Sequence, residues 1–275
     1  MVAFRYAFCI ALIWFGLCTQ AHAEWIRAET DHFDCYSDGS EAALRADAMR
    51  LERFDAAARV VVGLPPSRPG AKLKVYFVGS VNTVQRLYPG PEKRVAGFYL
   101  TQPSGAFAVV PRNLSDERQG LSNTVAMFHE YTHHLMYQYF PAAYPAWYVE
   151  GFAEFLSNAK IAEDGSAKLG LADHARASTL LNEVGLPIDK IFSSAVGDLR
   201  SDQTNNFYGQ SWALVHLLTL NAQRKGQLVD SDHPAQGFRF DPAHHSDFIA
   251  PGLGSLIGWL SGPVVGCRSS VQWHA

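Results

Sequence analysis

The segments Phe128-His129-Glu130-Tyr131-Thr132-His133 and Trp147-Tyr148-Val149-Glu150-Gly151-Phe152-Ala153-Glu154 decide how the rest of the chain is interpreted. The first contains H-E-x-x-H, in which two histidines four residues apart share one helix face and can bind one metal ion. The second has two carboxylates, also four residues apart, among aromatic side chains. A carboxylate in such surroundings is costly unless it has a partner. Together the segments predict a metal site shared by two antiparallel helices.

The local signals around both segments support two helices. Ser122 is a suitable N-cap for the first helix, and Pro141 stops it. The second is expected over Ala146–Leu156, with Gly151 allowing the two helices to approach closely at the metal. H-E-x-x-H alone also fits a helix with solvated side chains, and His134 is expected to be a solvated histidine of this kind.

The two motifs resemble those of the gluzincin metallopeptidases, the group of thermolysin and the aminopeptidase N-like enzymes. The string W-x-x-E-G-F-A, here Trp147 to Ala153, is the specific part of the resemblance. The layout from Trp25 to about Asp230 is similar to a family of exported bacterial proteins with a peptidase MA-like domain. This resemblance implies a zincin-like α+β fold and an activity that hydrolyses peptide bonds.

The resemblance also implies a role for each residue of the motifs. His129, His133 and Glu150 would hold one Zn²⁺ ion, and Glu154 would orient a ligand histidine. Glu130 would act as the general base, taking a proton from the attacking water and passing it to the leaving amine.

A further donor for the developing oxyanion is expected from a later helix, as in other gluzincins. Tyr208 lies where Asn206–Trp212 opens such a helix, and it resembles the tyrosine of Y-x-K-G in the aminopeptidase N-like enzymes. The lysine and glycine of that motif are replaced by Gln210 and Ser211. A tyrosine that merely packs at a helix start explains Tyr208 equally well.

The substrate is expected to be a peptide or protein, bound along an edge strand. Ala106–Val110 precedes the metal helix, where such folds place this strand, although an ordinary core strand has the same pattern. No G-x-M-E-N type anchor for a free amino terminus is present, so aminopeptidase activity does not follow.

Hydrophobic periodicity before the metal helix predicts a mixed α/β lobe over residues 24–115, with a hairpin on one side of its sheet. A helical lobe is expected over 116–230, with the active site between the lobes. The expected elements are a strand over Trp25–Tyr36, a helix from Ser40 to Gly63, a strand over Leu73–Val78, a helix over Val81–Leu87, strands over Val95–Leu100 and Ala106–Val110, a helix over Leu171–Asn182, and a loop or short helix over Leu186–Val196.

The N-terminus has the features of a signal peptide. Residues 1–23 contain Arg5, an apolar run from Ala7 to Leu17, and the cleavage signature Ala21-His22-Ala23. A retained membrane anchor is the alternative, but the run is short for a membrane span. We therefore expect an exported, periplasmic or extracellular protein with no stable membrane insertion after cleavage.

Composition and cysteines add little to this interpretation. A net charge of −3 gives no electrostatic indication of nucleic-acid binding, so no nucleic-acid partner is expected. After signal cleavage Cys35 and Cys267 are left, and pairing or two separate thiols are equally compatible with the sequence. Residues 231–275 are expected to be a divergent or poorly ordered tail, in which His244-His245 is more simply a solvated pair than a metal site.

The sequence therefore predicts a secreted zinc-dependent metallopeptidase. The alternative is a catalytically inactive binding or scaffolding protein of the cell envelope that keeps the gluzincin fold. A structural protein with an accidental motif is a third possibility, which the second segment disfavours.

Overall fold

The structure is a computed structural model that describes residues 25–65, 71–90, 95–116, 121–140, 142–171 and 173–229. The predicted signal peptide, the tail over 231–275 and Cys267 lie outside these residues. The described elements are β1 (Ile26–Glu29), β2 (Phe33–Ser37), α1 (Glu41–Val62), β3 (Leu73–Val78), α2 (Val81–Leu87), β4 (Phe98–Gln102), β5 (Gly105–Pro111), β6 (Ser115–Asp116), β7 (Leu121–Ser122), α3 (Asn123–Tyr139), α4 (Ala146–Ser157), β8 (Lys160–Ile161), β9 (Ala167–Lys168), α5 (His174–Asn182), α6 (Ile188–Ser193) and α7 (Ser201–Val229).

Five strands form one mixed sheet in the order β1-β2-β3-β5-β4. The inner strands β2, β3 and β5 are parallel to one another, while β1 and β4 pair antiparallel at the two edges. The prediction of mixed α and β structure, with a hairpin on one side of the sheet, is therefore confirmed. The strand over Ala106–Val110, considered above as the peptide-binding edge, belongs to β5 and is paired on both sides. On this side of the sheet the edge strand is β4, which pairs with β5 alone among the described strands.

The single strand expected over Trp25–Tyr36 is wrong, because the chain reverses within it. Thr30 donates its backbone N–H to the Phe33 carbonyl, and β1 then pairs antiparallel with β2. The reversal falls in the polar run Glu29-Thr30-Asp31-His32, which separates the apolar residues of the two strands, so the sequence carried a turn signal that the prediction of a single strand overlooked.

Local capping explains the helix ends that the sequence predicted. The Ser40 hydroxyl accepts from the Ala43 N–H at the start of α1, and Gly63 ends the helix in the left-handed region, with φ of 74°. Ser122 caps α3 in the same way, accepting from the Val125 N–H.

One hydrophobic core joins the sheet to the helices on both sides of the predicted lobe boundary. Phe54 of α1 stacks on Phe128 of α3, with ring centroids 3.9 Å apart. The other sheet face carries a smaller cluster around Val84 and Phe98, covered by α2. The region after Ser122 is mainly helical as expected, but β8 and β9 form a short hairpin that the sequence did not indicate. In the described part of the chain, no helix has the length and apolar character needed to cross a membrane.

Candidate metal centre

Helix α3 brings His129 and His133 together because they lie one helical turn apart. Their Nε2 atoms are 3.1 Å from each other, and their ring centroids are 4.8 Å apart. The two imidazoles therefore direct the same nitrogen towards one point.

Helix α4 adds Glu150 to this point. Its Oε2 lies 3.3 Å from His129 Nε2 and 3.5 Å from His133 Nε2. All three side chains are largely buried, with 11–16% of each exposed. Burial by itself would raise the pKa of Glu150, but the two histidines lower it well below its usual range. The three residues thus form a group that can hold a metal ion.

Two buried atoms of this group have no hydrogen-bond partner among the described residues, namely Glu150 Oε2 and His133 Nδ1. Buried polar atoms without a partner are uncommon and call for an explanation such as an ion or a water molecule. Glu150 Oε2 is also the carboxylate oxygen closest to both histidines, so the missing partner belongs where the three donors converge.

Gly151 allows a close helix approach, but the partner helix differs from the one expected. A Cβ atom at Gly151 would lie 2.4 Å from the backbone oxygen of Ser211 in α7, which no structure tolerates without a shift. The glycine therefore sets the contact between α4 and α7, rather than the contact between α4 and α3. This contact brings α7, and with it Tyr208, to the metal group.

Glu154 lies behind His129, at the position expected for an orienting carboxylate. Its Oε1 is 3.5 Å from His129 Nδ1, and the side chain is buried. Arg176 of α5 donates to both carboxylate oxygens, from Nε at 2.9 Å and from Nη2 at 2.7 Å. Burial opposes the charge of Arg176, but the Glu154 carboxylate more than compensates and raises the guanidinium pKa. Arg176 was missed by the sequence analysis, since nothing local marks it.

Glu130 projects towards the sheet edge rather than into the ligand group. Its carboxylate lies against Gly97, just before β4, where a Cβ atom would be 2.9 Å from Glu130 Oε1. Burial raises the pKa of Glu130 to about 8 in the metal-free protein, with His133 acting in the opposite direction. The side chain is thus held between α3 and the start of the edge strand.

Tyr208 does reach the site. Its ring is 6.2 Å from the His129 ring in an edge-to-face arrangement, and the Arg176 guanidinium lies 5.2 Å from its centroid. Burial, followed by the nearby carboxylates, raises the pKa of Tyr208 well above its usual value. The hydroxyl therefore keeps its proton and can donate it in a hydrogen bond.

A row of rings continues from His133 to the sheet edge, and the sequence analysis missed it. Tyr137 stacks on His133, and Tyr99 of β4 stacks on Tyr137. The expectation that His134 is solvated is wrong, because Tyr99 and Tyr131 pack against it and burial lowers its pKa to about 4. Tyr137 follows His133 by four residues, so the same periodicity that paired the histidines could have pointed to it.

A second group with metal-ligand residue types lies between β2 and α1. His32 Nδ1 is 2.6 Å from Glu52 Oε2 and 4.0 Å from Asp55 Oδ2. Both Asp55 oxygens already accept from Arg59 Nε, at 2.7 and 2.9 Å, and Tyr131 donates to one of them. The buried Arg59 charge disfavours a metal cation here, so we interpret this group as an ion-pair network.

Comparison of the chain with protein-family models and with curated protein sequences gives no match.

Proposed function

We propose that the chain is an exported zinc-dependent metallopeptidase with a zincin-like, gluzincin-type arrangement. The convergence of His129, His133 and Glu150 with an unpartnered carboxylate oxygen carries this proposal. Bonds of about 2.0–2.1 Å to a tetrahedral zinc ion place neighbouring donor atoms about 3.3–3.4 Å apart. The three distances between donor atoms, 3.1, 3.3 and 3.5 Å, bracket that spacing. Two imidazoles and one carboxylate also form a known donor set of hydrolytic zinc sites.

The bound ion would supply Lewis acidity, which polarises a scissile carbonyl and makes water a good nucleophile near neutral pH. Glu130 lies outside the three donors, so its carboxylate is free to take a proton from the attacking water. It then gives the proton to the leaving amine nitrogen. Tyr208 donates its hydroxyl hydrogen to the developing oxyanion. Arg176 fixes Glu154, which holds His129 Nδ1 and so directs Nε2 towards the metal.

The outer edge of β4 is the proposed binding site for an extended peptide, because in the described part of the chain no strand pairs with it on that side, and edge strands can pair with another strand. Glu130 lies against Gly97 at the start of that edge. A substrate paired with β4 therefore brings its backbone past the general base.

The central experiment measures zinc content and peptide cleavage in wild type and in Glu130→Gln. The variant should keep one zinc ion per chain and lose about 10²–10⁴-fold in turnover, because the base alone is removed. Glu163→Gln makes the same chemical change at an exposed position and should leave both quantities unchanged. Full activity in Glu130→Gln, or no zinc in wild type, would contradict the proposal. Cleavage by neither protein, with zinc bound, would favour the non-catalytic alternative.

Tyr208→Phe tests the oxyanion role. It should lower kcat by about 10²-fold or more with little change in KM, since the hydrogen bond forms only in the transition state. An unchanged kcat would mean that Tyr208 only packs against His129.

A further inference from the structure

Tyr137 is an aromatic side chain that is half exposed beside a buried polar site. Its exposed fraction is 49%, whereas the three candidate ligands next to it are largely buried. Its ring lies 6.4 Å from the His133 ring at an interplanar angle of 26°, which is an offset stack. One face of an aromatic ring is thus fixed against a metal ligand, while much of its surface stays open to solvent.

Tyr99 extends this surface onto the edge strand. The Tyr99 and Tyr137 rings are nearly parallel, at 12°, with centroids 6.1 Å apart. The Tyr99 hydroxyl forms a 3.2 Å hydrogen bond with His134 Nδ1, which holds the ring in place from behind. The two tyrosines therefore form a rigid wall, and rigid aromatic surfaces bind ligands at a low cost in conformational entropy.

The wall has a defined position relative to Glu130. Gly97 faces Glu130, and Tyr99 lies two residues further along the strand, so both lie on the strand face directed at α3. Two residues of extended chain span about 6.6–7 Å. A substrate strand paired with β4 advances by the same amount. When the scissile bond of the substrate faces Glu130, a substrate side chain one or two residues away therefore reaches the wall.

From this geometry we propose that Tyr99 and Tyr137 form a subsite that binds an aromatic side chain of the substrate, one or two residues from the cleaved bond. The inference rests on the proposed peptidase function and adds the substrate class to it. The exposed edges of these rings can meet the face of an incoming aromatic ring, and such edge-to-face contacts add up to about tenfold in affinity beyond the effect of the buried area, which small aliphatic side chains cannot match.

The test compares two otherwise identical unstructured peptides, one with phenylalanine and one with alanine at the candidate position. Calorimetry of zinc-loaded Glu130→Gln with peptides that carry one phenylalanine at each position in turn first identifies that position, whether or not the wild type cleaves. In wild type, kcat/KM should be about tenfold higher for the phenylalanine peptide. Tyr137→Ala should abolish this preference, while Tyr137→Phe should keep it because the ring is retained. Trp25 is 50% exposed and lies just before β1, at the opposite edge of the sheet, so it provides the matched control, and Trp25→Ala should retain the preference.

Binding to zinc-loaded Glu130→Gln, measured by calorimetry, separates this inference from the proposed function. The phenylalanine peptide should bind about tenfold more tightly than the alanine peptide, and adding Tyr137→Ala should equalise them. Binding preference without any cleavage by the wild type would support the subsite and overturn the peptidase function. Equal affinities, or a preference that survives Tyr137→Ala, would overturn the subsite whatever the activity.

Discussion

Two groups of histidine and carboxylate side chains occur among the described residues, and in each the candidate donor atoms lie within 4.8 Å of one another. In the group around α1, Asp55 is fully engaged by Arg59 and Tyr131, and His32 faces Glu52. In the group around α3, Arg176 binds Glu154, which lies behind His129, and it leaves Glu150 Oε2 without a hydrogen-bond partner among the described residues. Residue types and spacing alone therefore do not distinguish a metal site from an ion-pair network.

The position of the arginine distinguishes them. Arg59 places its charge directly on a candidate ligand, where it competes with a metal ion for the same lone pairs. Arg176 pairs instead with Glu154, which lies beside the far nitrogen of His129, so it fixes that carboxylate in place and leaves the lone pairs of the three candidate ligands free. The first arrangement stabilises the fold, and we propose that the second supports a metal site.

The largest expected effect is the loss of stability in Asp55→Ala. The change leaves the buried Arg59 charge without its partner, and breaking a buried pair in this way costs about 3–5 kcal/mol. Asp47→Ala on the same helix is the matched control, because its partner Arg50 is 40% exposed and such pairs contribute at most about 1 kcal/mol. Urea unfolding of the metal-free proteins measures both.

Zinc content tests whether only the group around α3 binds metal. Folded Asp55→Ala should bind as much zinc as wild type, whereas Glu150→Ala should bind much less. Two zinc ions per wild-type chain, one of them lost in Asp55→Ala, would show that the α1 group is a metal site after all.

A smaller effect is expected when Arg176 is replaced by glutamine. Glu154 then loses its bidentate partner and holds His129 less firmly, so zinc affinity should fall about 10–100-fold. Arg176→Lys keeps the charge but not the planar pair of donors, and should restore part of the affinity. Competition with a chromophoric chelator measures this, with circular dichroism as the check on folding. Unchanged affinity in a folded Arg176→Gln variant would limit Arg176 to packing.

The features that the sequence predicted well are local. Ser40, Gly63 and Ser122 act within one helical turn of their own position, so capping rules located the ends of α1 and the start of α3. The convergence of His129, His133 and Glu150 followed from helical spacing and from the resemblance of two motifs. Their proposed roles stay predictions until metal and activity are measured.

The features that it missed depend on contacts between distant segments. Arg176 reaches Glu154 across 22 residues, and the carbonyl beside Gly151 comes from Ser211, far along the chain. The sequence placed His32 in a continuous strand and gave no sign of its contact with Glu52. That contact depends on how the start of β2 packs on α1. Periodicity indicates which face of an element is buried, but not which element covers it.

The smallest expected effect is a pH dependence of stability that arises from His32 and Glu52. The hydrogen bond that His32 donates to the Glu52 carboxylate raises the pKa of His32 above its ordinary 6.5. Burial would raise the pKa of Glu52, but the bonds from His32 outweigh this and lower it below its ordinary 4.5. Asp55 and Arg59 also face His32, and their opposing charges partly cancel.

The directions of the two pKa shifts define the pH range in which the pair stabilises the fold. The contribution of His32 is complete below pH 6.5, and it is lost as the pH rises through the raised pKa of the folded state. The contribution of Glu52 is complete above pH 4.5, and it is lost as the pH falls through its lowered pKa. The pair therefore contributes most to the free energy of unfolding between these pH values, by no more than about 1 kcal/mol for a partly exposed pair.

In metal-free protein, His32→Gln should be less stable than wild type at pH 5.5, and the difference should shrink by pH 8.5. All other side chains are the same in both proteins, so the difference reports on His32 and its partners. A difference that is constant or grows with pH would mean that His32 is held by packing rather than by charge.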